Sequence, residues 1–589
     1  MFLSRRQFLK ISAGTVAAVA VADKVLALTA LQPVIEVGNP LGDYPDRSWE
    51  RVYHDQYRYD SSFTWCCSPN DTHACRIRAF VRNGVVMRVE QNYDHQTYED
   101  LYGNRGTFAH NPRMCLKGFT FHRRVYGPYR LKGPLMRKGW KAWMDDGSPE
   151  LTPDVKRKYK FDSRFLDDML RVSWDTAFTY AAKAYIIIAT RYSGEAGARR
   201  LREQGYAPEM IEMMKGAGTR CFKHRAGMPV LGILGKMGNT RMNGGINALL
   251  DTWIRKVNPE QAQGGRYWSN YTWHGDQNPA HPWWSGAQGS DIDLSDMRFS
   301  KLNTSWGKNF VENKMPEAHW KLECIERGAR VVVITPEYNP TAYRADYWMP
   351  LRPESDGALF LGAMKIIVDE NMHDIDFLKS FTDAPILVRT DTLQYLDPRD
   401  VVKDYAFPDF SKSYSGRMQS LKPEQIERLG GMMVWDLNKK QAVPLHREQV
   451  GWHYTNSGID AALNGTFRVK LLNGREIDAM PVWQMYLVHF QDYDLDTTHQ
   501  ICRTPKDLIV RWARDSGTIK PAAIHNGEGV THYFHMTSTG RAAAMVLIIT
   551  GNVGKFGTGQ HTWAGNYKAG TWTATPWSGA GLAVHTGED

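Results

Sequence analysis

The chain has 589 residues, a formal net charge of +10 and 42% hydrophobic residues, with a mean hydropathy of −0.48. This length can bury several hydrophobic cores, and the polar balance argues against a membrane protein. Its seven cysteines, an odd number, do not suit the disulfide framework of a small secreted domain.

The N-terminus carries an export pattern. Ser-Arg-Arg-Gln-Phe-Leu-Lys fills residues 4–10, and a mostly apolar run ending in small residues follows to Ala30. Twin arginines before a modest apolar run predict a Tat signal peptide over residues 1–30. We therefore expect export to the periplasm or an equivalent extracytoplasmic compartment, as a protein that is folded and loaded with a cofactor beforehand. No other stretch has the length and apolarity of a membrane-spanning helix.

A cysteine-rich stretch follows the signal. Cys66, Cys67 and Cys75 lie close together around Asp71, and Cys115 comes later. Soft thiolate ligands that converge from a loop and a later turn suit an iron–sulfur cluster. In an oxidising compartment the same cysteines could instead form disulfides, and a buried cysteine often only packs as a small apolar side chain.

The region around these cysteines predicts a small β-rich domain over residues 43–140. Residues 79–89 alternate apolar and polar side chains about an Asn-Gly turn, which predicts a β-hairpin. Residues 113–141 then mix basic and aromatic side chains, a composition that can bind nucleic acid. No nucleic-acid motif accompanies them and the export signal points elsewhere, so we favour a buried anionic cofactor as their partner.

An α/β region begins near Ser173. Helical periodicity predicts a helix over 174–189, and residues 190–216 read as a charged surface insertion. A strand is predicted within 229–239 and a helix over 246–254.

A helix over 317–327 and a buried strand over 329–336 predict an α/β nucleotide-binding layer, in which ligands meet the carboxyl ends of the strands. No Gly-x-Gly-x-x-Gly accompanies this layer, so an ordinary NAD enzyme is not expected. Residues 383–480 predict mixed loops and short strands, and a helix follows Arg541.

The motifs of the chain together resemble the type II DMSO-reductase family, the molybdenum enzymes that include nitrate reductases and nitrite oxidoreductases. The resemblance runs from residue 43 to near the end. The family's cluster pattern falls on this chain with Cys in place of His and Asp in place of one Cys. The resemblance implies one [4Fe-4S] cluster, whose four ligands would be Cys67, Asp71, Cys75 and Cys115. His73 or Cys66 is the alternative to Asp71.

The resemblance also implies a bis-molybdopterin guanine dinucleotide cofactor. Residues 271–279 read alone as a turn, but Asp276 matches the family's molybdenum ligand, and Trp-Gly-Lys-Asn follows at residues 306–309 with the family spacing. Around the substrate the implied residues are His274, Asn70, Gly527 and Gly529. The implied cofactor-binding residues are Lys117, Arg124, Trp306, Gly307, Asn309, Thr335, Arg352, Asp356 and His532.

The predicted fold class is therefore α/β, a multidomain molybdopterin-oxidoreductase architecture. Its parts are a signal peptide (1–30), an iron–sulfur domain (43–140), a region binding the pterin dinucleotide (141–382) and a mixed α/β region with an active-site loop (383–589). The family's C-terminal barrel domain has no counterpart in the sequence, which predicts a fragment or one piece of a split subunit.

The implied function is oxygen-atom transfer between nitrite and nitrate, with the nitrite oxidoreductase alpha subunit favoured marginally over an exported nitrate, selenate, chlorate or perchlorate reductase. The implied partners are an iron–sulfur beta subunit, a haem-containing gamma subunit and, if the subunit is split, a chain supplying the C-terminal half. Two other classes stay open: an electron-relay subunit without molybdenum, and a basic secreted binding protein with disulfides.

Overall fold

The structure is a computed structural model of the chain. It describes residues 50, 54, 57–67, 75–92, 98–99, 105–106, 114–164, 166–226, 241–258, 261–262, 264, 266–269, 294–413, 419–429 and 431–561. The chain divides into two compact units, and each is described by itself. The first unit comprises Met1–Pro69, Cys75–Gln96 and Met114–Lys132, and the second comprises Asn70–Ala74, Thr97–Arg113 and Gly133–Asp589.

The first unit contains an antiparallel three-stranded sheet in the order β1-β2-β3. Its strands and two short helices are β1 (Ser61–Cys67), β2 (Cys75–Arg82), β3 (Val85–Gln91), α1 (Leu116–Phe119) and α2 (Phe121–Val125). Asn83 and Gly84 form the turn between β2 and β3 with φ of 50° and 74°, as a tight hairpin turn requires. The predicted hairpin is thereby confirmed.

The strands of the second unit are β4 (Tyr98–Glu99), β5 (Arg105–Gly106), β6 (Leu135–Arg137), β7 (Met169–Arg171), β8 (Lys223–Ala226), β9 (Arg266–Ser269), β10 (Leu302–Trp306), β11 (Arg330–Ile334), β12 (Tyr347–Met349), β13 (Leu387–Arg389), β14 (Gly431–Asp436), β15 (Gln441–His446), β16 (Phe467–Lys470), β17 (Glu476–Pro481), β18 (Ala522–Asn526) and β19 (Gly559–His561).

Its α-helices are α3 (Lys138–Asp145), α4 (Pro153–Lys158), α5 (Trp174–Arg191), α6 (Gly194–Glu203), α7 (Pro208–Met213), α8 (Asn247–Arg255), α9 (Phe310–Asn313), α10 (Ala318–Glu326), α11 (Asp356–Asp369), α12 (Ile375–Phe381), α13 (Pro398–Val401), α14 (Pro423–Leu429), α15 (Trp452–Thr455), α16 (Val482–Phe490), α17 (Leu495–Cys502), α18 (Lys506–Thr518) and α19 (Met536–Ile549).

Several predicted elements are confirmed. Helix α5 begins after Ser173, whose hydroxyl accepts a hydrogen bond from the backbone N–H of Thr176, as an N-cap does. Helix α8 lies where helical spacing predicted it, and α10 leads into β11 as predicted. The strand predicted within 229–239 lies outside the described residues.

The central element of the second unit is a five-stranded parallel sheet in the order β12-β11-β10-β18-β19. One of its faces is apolar. Leu302 and Trp306 of β10, Ile334 of β11 and Ile524 of β18 pack there against α11, α18 and α19 in the largest hydrophobic core. The parallel arrangement places the carboxyl ends of all five strands along one edge of the sheet.

A smaller, β-rich part with three short helices is inserted between α12 and α16. It contains the antiparallel sheet β13-β17-β16 and the hairpin β14-β15, with a core of its own around Leu387, Met433 and Ile477. The short strands predicted for residues 383–480 are confirmed. Within the described part of the chain, no helix is long and apolar enough to cross a membrane.

Candidate cofactor site at the carboxyl edge of the parallel sheet

Predicted site residues follow directly after three neighbouring strands. Gly307 follows β10, Thr335 follows β11 and Gly527 follows β18. β10 lies between the other two, so the three loops meet at the same edge of the sheet. This is the edge where open parallel sheets bind nucleotide-like ligands.

Two glycines allow the β10 and β18 loops to approach each other closely. Gly307 has φ of +56°, and a Cβ there would lie 2.5 Å from Cγ1 of Val530. A Cβ on Gly527 would lie 2.3 Å from the carbonyl oxygen of Gly307, and the N–H of Gly527 donates to the carbonyl of Trp306 at 2.9 Å. A Cβ on Gly529 would be 3.3 Å from the same Gly307 oxygen. The three predicted glycines thus lie together, with no room for side chains at the first two.

Asn309 and Thr335 hold the loops in shape. The Asn309 side chain accepts from the hydroxyl of Thr341 at 2.8 Å and from the N–H of Glu312 at 3.4 Å, where it caps α9. The Thr335 hydroxyl donates to the carbonyl of Glu337 at 2.6 Å. Both side chains therefore act within the protein, leaving backbone groups of these loops for a ligand.

Asp356 and Trp306 are also brought together. The indole N–H of Trp306 donates to Oδ1 of Asp356 at 2.6 Å. Burial raises the pKa of the Asp356 carboxyl, and this hydrogen bond partly offsets the effect. Arg352 lies four residues before Asp356 and is exposed. Its backbone N–H donates to the backbone carbonyl of Cys502 at 2.7 Å. A carboxylate oriented by an indole can accept the amino and imino hydrogens of a guanine.

The predicted cluster cysteines lie in the first unit. Cys67 and Cys75 are directly opposite each other across β1 and β2, and a Cβ on Gly118 of α1 would lie 3.3 Å from Sγ of Cys67. Cys115 immediately precedes α1. None of the six cysteines with described side chains forms a disulfide. Among the described residues, no three His, Cys, Asp or Glu side chains are close enough to hold a metal.

The remaining predicted residues are distributed as follows. Asn70, Asp71, His274 and Asp276 lie outside the described residues. His532 is exposed just after the turn Glu528–Thr531. Lys117 and Arg124 belong to α1 and α2 of the first unit, and both are exposed.

A group of polar side chains on the second face of the parallel sheet was not predicted from the sequence. Ser305, His525 and His561 are register partners across β10, β18 and β19. Lys321 of α10 donates to Oγ of Ser305 at 2.5 Å, and Lys308 lies nearby. We call Ser305, Lys308, Lys321, His525 and His561 the basic layer. A histidine inside the otherwise apolar strand β18 was the signal that could have revealed it.

Burial dominates the electrostatics of the basic layer. Desolvation lowers the pKa of Lys321 to about 7, with Lys308 adding to the effect. Desolvation also lowers the pKa of His525 well below its usual value, and His561 and the two lysines act in the same direction. Both shifts have the sign expected for bases that lose water and face other cations.

Comparison with known proteins adds to this geometry. Residues 130–575 match the family model described as molybdopterin oxidoreductase, a span of more than half the chain that includes the whole parallel sheet. The chain belongs to the molybdopterin oxidoreductase family. Residues 3–22 match the twin-arginine translocation signal, which confirms the predicted Tat signal and marks this molybdopterin oxidoreductase for export to the periplasm.

Three of the similar proteins are alpha subunits of oxyanion reductases. The perchlorate reductase subunit alpha of Dechloromonas aromatica is 26% identical over 96% of this chain and 52% of its own length. The respiratory nitrate reductase subunit alpha of Haloferax mediterranei is 27% identical over 94% and 48%, and the chlorate reductase subunit alpha of Ideonella dechloratans 26% over 95% and 50%. This molybdopterin oxidoreductase thus spans about half the length of these relatives.

Among solved structures, the acetylene hydratase of Pelobacter acetylenicus aligns with 83% of this chain and 43% of its own. Its TM-score is 0.43 and its identity 15%, too low to carry an inference. The mixed α/β fold class follows from the sheet and the family match together.

Proposed function

We propose that this chain is the catalytic alpha-subunit portion of an exported molybdenum oxidoreductase that interconverts nitrite and nitrate, with nitrite oxidation as its working direction. The observation that carries the proposal is the glycine-lined carboxyl edge of the parallel sheet, where Gly307 and Gly527 bring backbone groups of two loops together. The names of the similar proteins support an oxyanion as the substrate.

The residues at this edge fit a pterin dinucleotide. Both amide atoms of Asn526, at the end of β18, are fully buried without a hydrogen-bond partner. Buried polar atoms of this kind are rare and indicate a missing ligand or water. Asp356, oriented by Trp306, would bind the guanine end of a molybdopterin guanine dinucleotide. When bound, this cofactor supplies oxygen-atom transfer coupled to a two-electron change.

Roles for the residues nearest the substrate follow from the family resemblance. Asp276 would be the molybdenum ligand, and His274 and Asn70 would hydrogen-bond the oxyanion. An imidazole can also move a proton near neutral pH, which nitrite oxidation requires because water releases two protons as its oxygen is transferred. Gly527 and Gly529 would leave room for the substrate.

Electrons would leave one at a time through a [4Fe-4S] cluster. Cys67, Asp71, Cys75 and Cys115 are its proposed ligands, and the proximity of Gly118 to the Cys67 sulfur supports a crowded thiolate site that excludes a side chain. An iron–sulfur beta subunit and a haem-containing gamma subunit would carry the electrons onward.

Reduction of chlorate or perchlorate is the second candidate. It is favoured by the names of two of the similar proteins, each 26% identical over at least 95% of this chain.

The test begins with molybdenum and iron content of the native assembly, purified without air. About one molybdenum and, from the chain's own cluster, about four irons per alpha chain are expected. Rates of nitrite oxidation and of nitrate, chlorate and perchlorate reduction are then compared with artificial electron carriers. Faster nitrite oxidation than reduction of any of the three supports the proposal. Turnover of chlorate or perchlorate alone would replace it with the second candidate, and absence of molybdenum would leave only an electron-relay role.

A further inference from the structure

The basic layer places polar and basic side chains on a buried face of a parallel sheet. Strands of such sheets are covered on both faces and are normally apolar on both. Here Ser305, His525 and His561 form a row one residue before the carboxyl edge, and Lys321 is fully buried against this row.

The protein satisfies these groups only partly. Both ring nitrogens of His525 are buried without a hydrogen-bond partner, and so are both amide atoms of Asn303, two residues before Ser305. Lys321 has Ser305 as its hydrogen-bond partner, and within the described residues it forms no ion pair with a carboxylate. A buried ammonium ion without an anion is strongly destabilising.

The ring of Phe310 lies close to both lysines. The ammonium nitrogens of Lys308 and Lys321 lie 4.2 and 5.4 Å from its centroid, and His525 meets its ring edge-on at 5.8 Å. A cation–π contact offsets only a small part of the cost of desolvating an ammonium ion. The layer is therefore arranged for an anion that arrives from outside the protein.

We propose that the basic layer is the countercharge for the phosphate groups of the pterin cofactor, with Lys321 as a positioning residue that favours the bound anion from beneath the carboxyl edge. This inference rests on the proposed function for the identity of the cofactor. The position of the basic layer next to the cofactor site follows from the geometry, because Lys308 directly follows Gly307 of the glycine-lined edge. It assigns Lys321 no contact with the reacting atoms.

If Lys321 is a countercharge, removing its charge should weaken cofactor binding but should not destabilise the cofactor-free protein. Lys321→Met and Lys321→Gln remove the charge, and the second keeps a polar group for Ser305. Both should lower the molybdenum content of the native assembly by about tenfold, the effect of losing one charge-assisted contact. In protein made without molybdate and pterin, the same changes should leave Tm unchanged or raise it, because an unfavourable buried cation is gone.

The matched control is Lys365→Met on α11. Lys365 pairs with Asp369 at 2.8 Å on the same helix and should change neither measurement. Variants at Lys321 that keep wild-type molybdenum would overturn the proposal. So would variants that lower Tm of the cofactor-free protein, because that result assigns Lys321 an ordinary packing role.

A second arm identifies the anion. Inorganic pyrophosphate and GDP, added to cofactor-free wild-type protein, should raise Tm, and the effect should be lost in Lys321→Gln. A response to pyrophosphate together with normal molybdenum content in the variant would indicate a site for free phosphate and overturn the cofactor assignment. A loaded protein without nitrite or nitrate turnover would instead contradict the proposed function alone. Wild-type protein lacking molybdenum would also contradict that function, and this arm would still decide the basic layer.

Discussion

The two faces of the parallel sheet differ in how they are filled. On one face Trp306 packs edge-on against Phe360 at 4.8 Å, and Thr304 accepts a hydrogen bond from the indole of Trp512 at 3.1 Å. On the other face, Ser305 of the same strand accepts a hydrogen bond from Lys321 and lies beside His525, and the side chain of Asn303 has no hydrogen-bond partner. On the first face the apolar core is satisfied within the protein, and unpartnered buried polar atoms such as those of Asn526 lie at its carboxyl edge. On the second face such atoms also lie beneath that edge, at Asn303 and His525. The core of the first face therefore stabilises the fold, whereas the second face is prepared for a ligand.

The largest effect should come from the apolar face. Trp306→Ala removes a fully buried indole and the hydrogen bond to Asp356, and should lower the free energy of unfolding by about 4 kcal/mol. Urea unfolding of the cofactor-free protein, followed by circular dichroism, measures it. Trp452→Ala, at a 72% exposed position, is the control and should be nearly silent. Equal effects of the two changes would contradict the role of this face in stabilising the fold.

The basic layer should show itself in the pH dependence of stability. The pKa of Lys321 is about 7 in the folded protein, below its usual 10.5, so the unfolded chain binds more protons between these values. Stability of the cofactor-free protein should therefore rise with pH above 7, by up to about 1.4 kcal/mol per unit from this group.

Among the described residues, the groups that contact Lys321 or act on its charge include Ser305, Cys324, Lys308, Phe310 and His525. Burial raises the pKa of the Cys324 thiol to about 11, so that group stays neutral below pH 9. Urea unfolding at pH 7 and pH 8 should show the rise in wild-type protein and a flatter response in Lys321→Met. Parallel pH profiles in the two proteins would exclude Lys321 as the source.

The smallest expected change in stability comes from two neighbouring residues of β10 that lie on opposite faces of the sheet. Asn303→Leu replaces a buried amide that has no partner with an apolar group of similar size, so the cofactor-free protein should change by less than about 1 kcal/mol in either direction. Thr304→Val, the neighbour on the apolar face, leaves the indole N–H of Trp512 unpartnered and should destabilise by about 1 to 2 kcal/mol. Thermal unfolding of both variants compares them, and the reverse order would mean that the second face is satisfied without a ligand.

Local patterns predicted the elements well. Periodicity predicted α5, α8 and α10, and the Asn-Gly turn predicted the hairpin of the first unit. Gly307, Gly527 and Gly529 were named from motifs, and the structure places them together. Thr335 and Asn309 were predicted as cofactor-binding residues, and the structure shows that their side chains hydrogen-bond within the loops. Sequence cannot show which partner a hydroxyl or an amide takes, because that depends on loops that meet only in the folded chain.

The export signal, the α/β class and the residues that end the strands could be predicted from the sequence, because these depend on neighbours within a few positions. The folded structure was needed to show that Trp306 lies opposite Asn526, 220 residues later in the chain, and that Ser305, His525 and Lys321 form one buried layer. Strand register and side-chain burial arise from contacts between distant segments. A lysine in a helix of mixed composition, such as Lys321 in α10, therefore cannot be recognised as buried until the sheet that it faces is known.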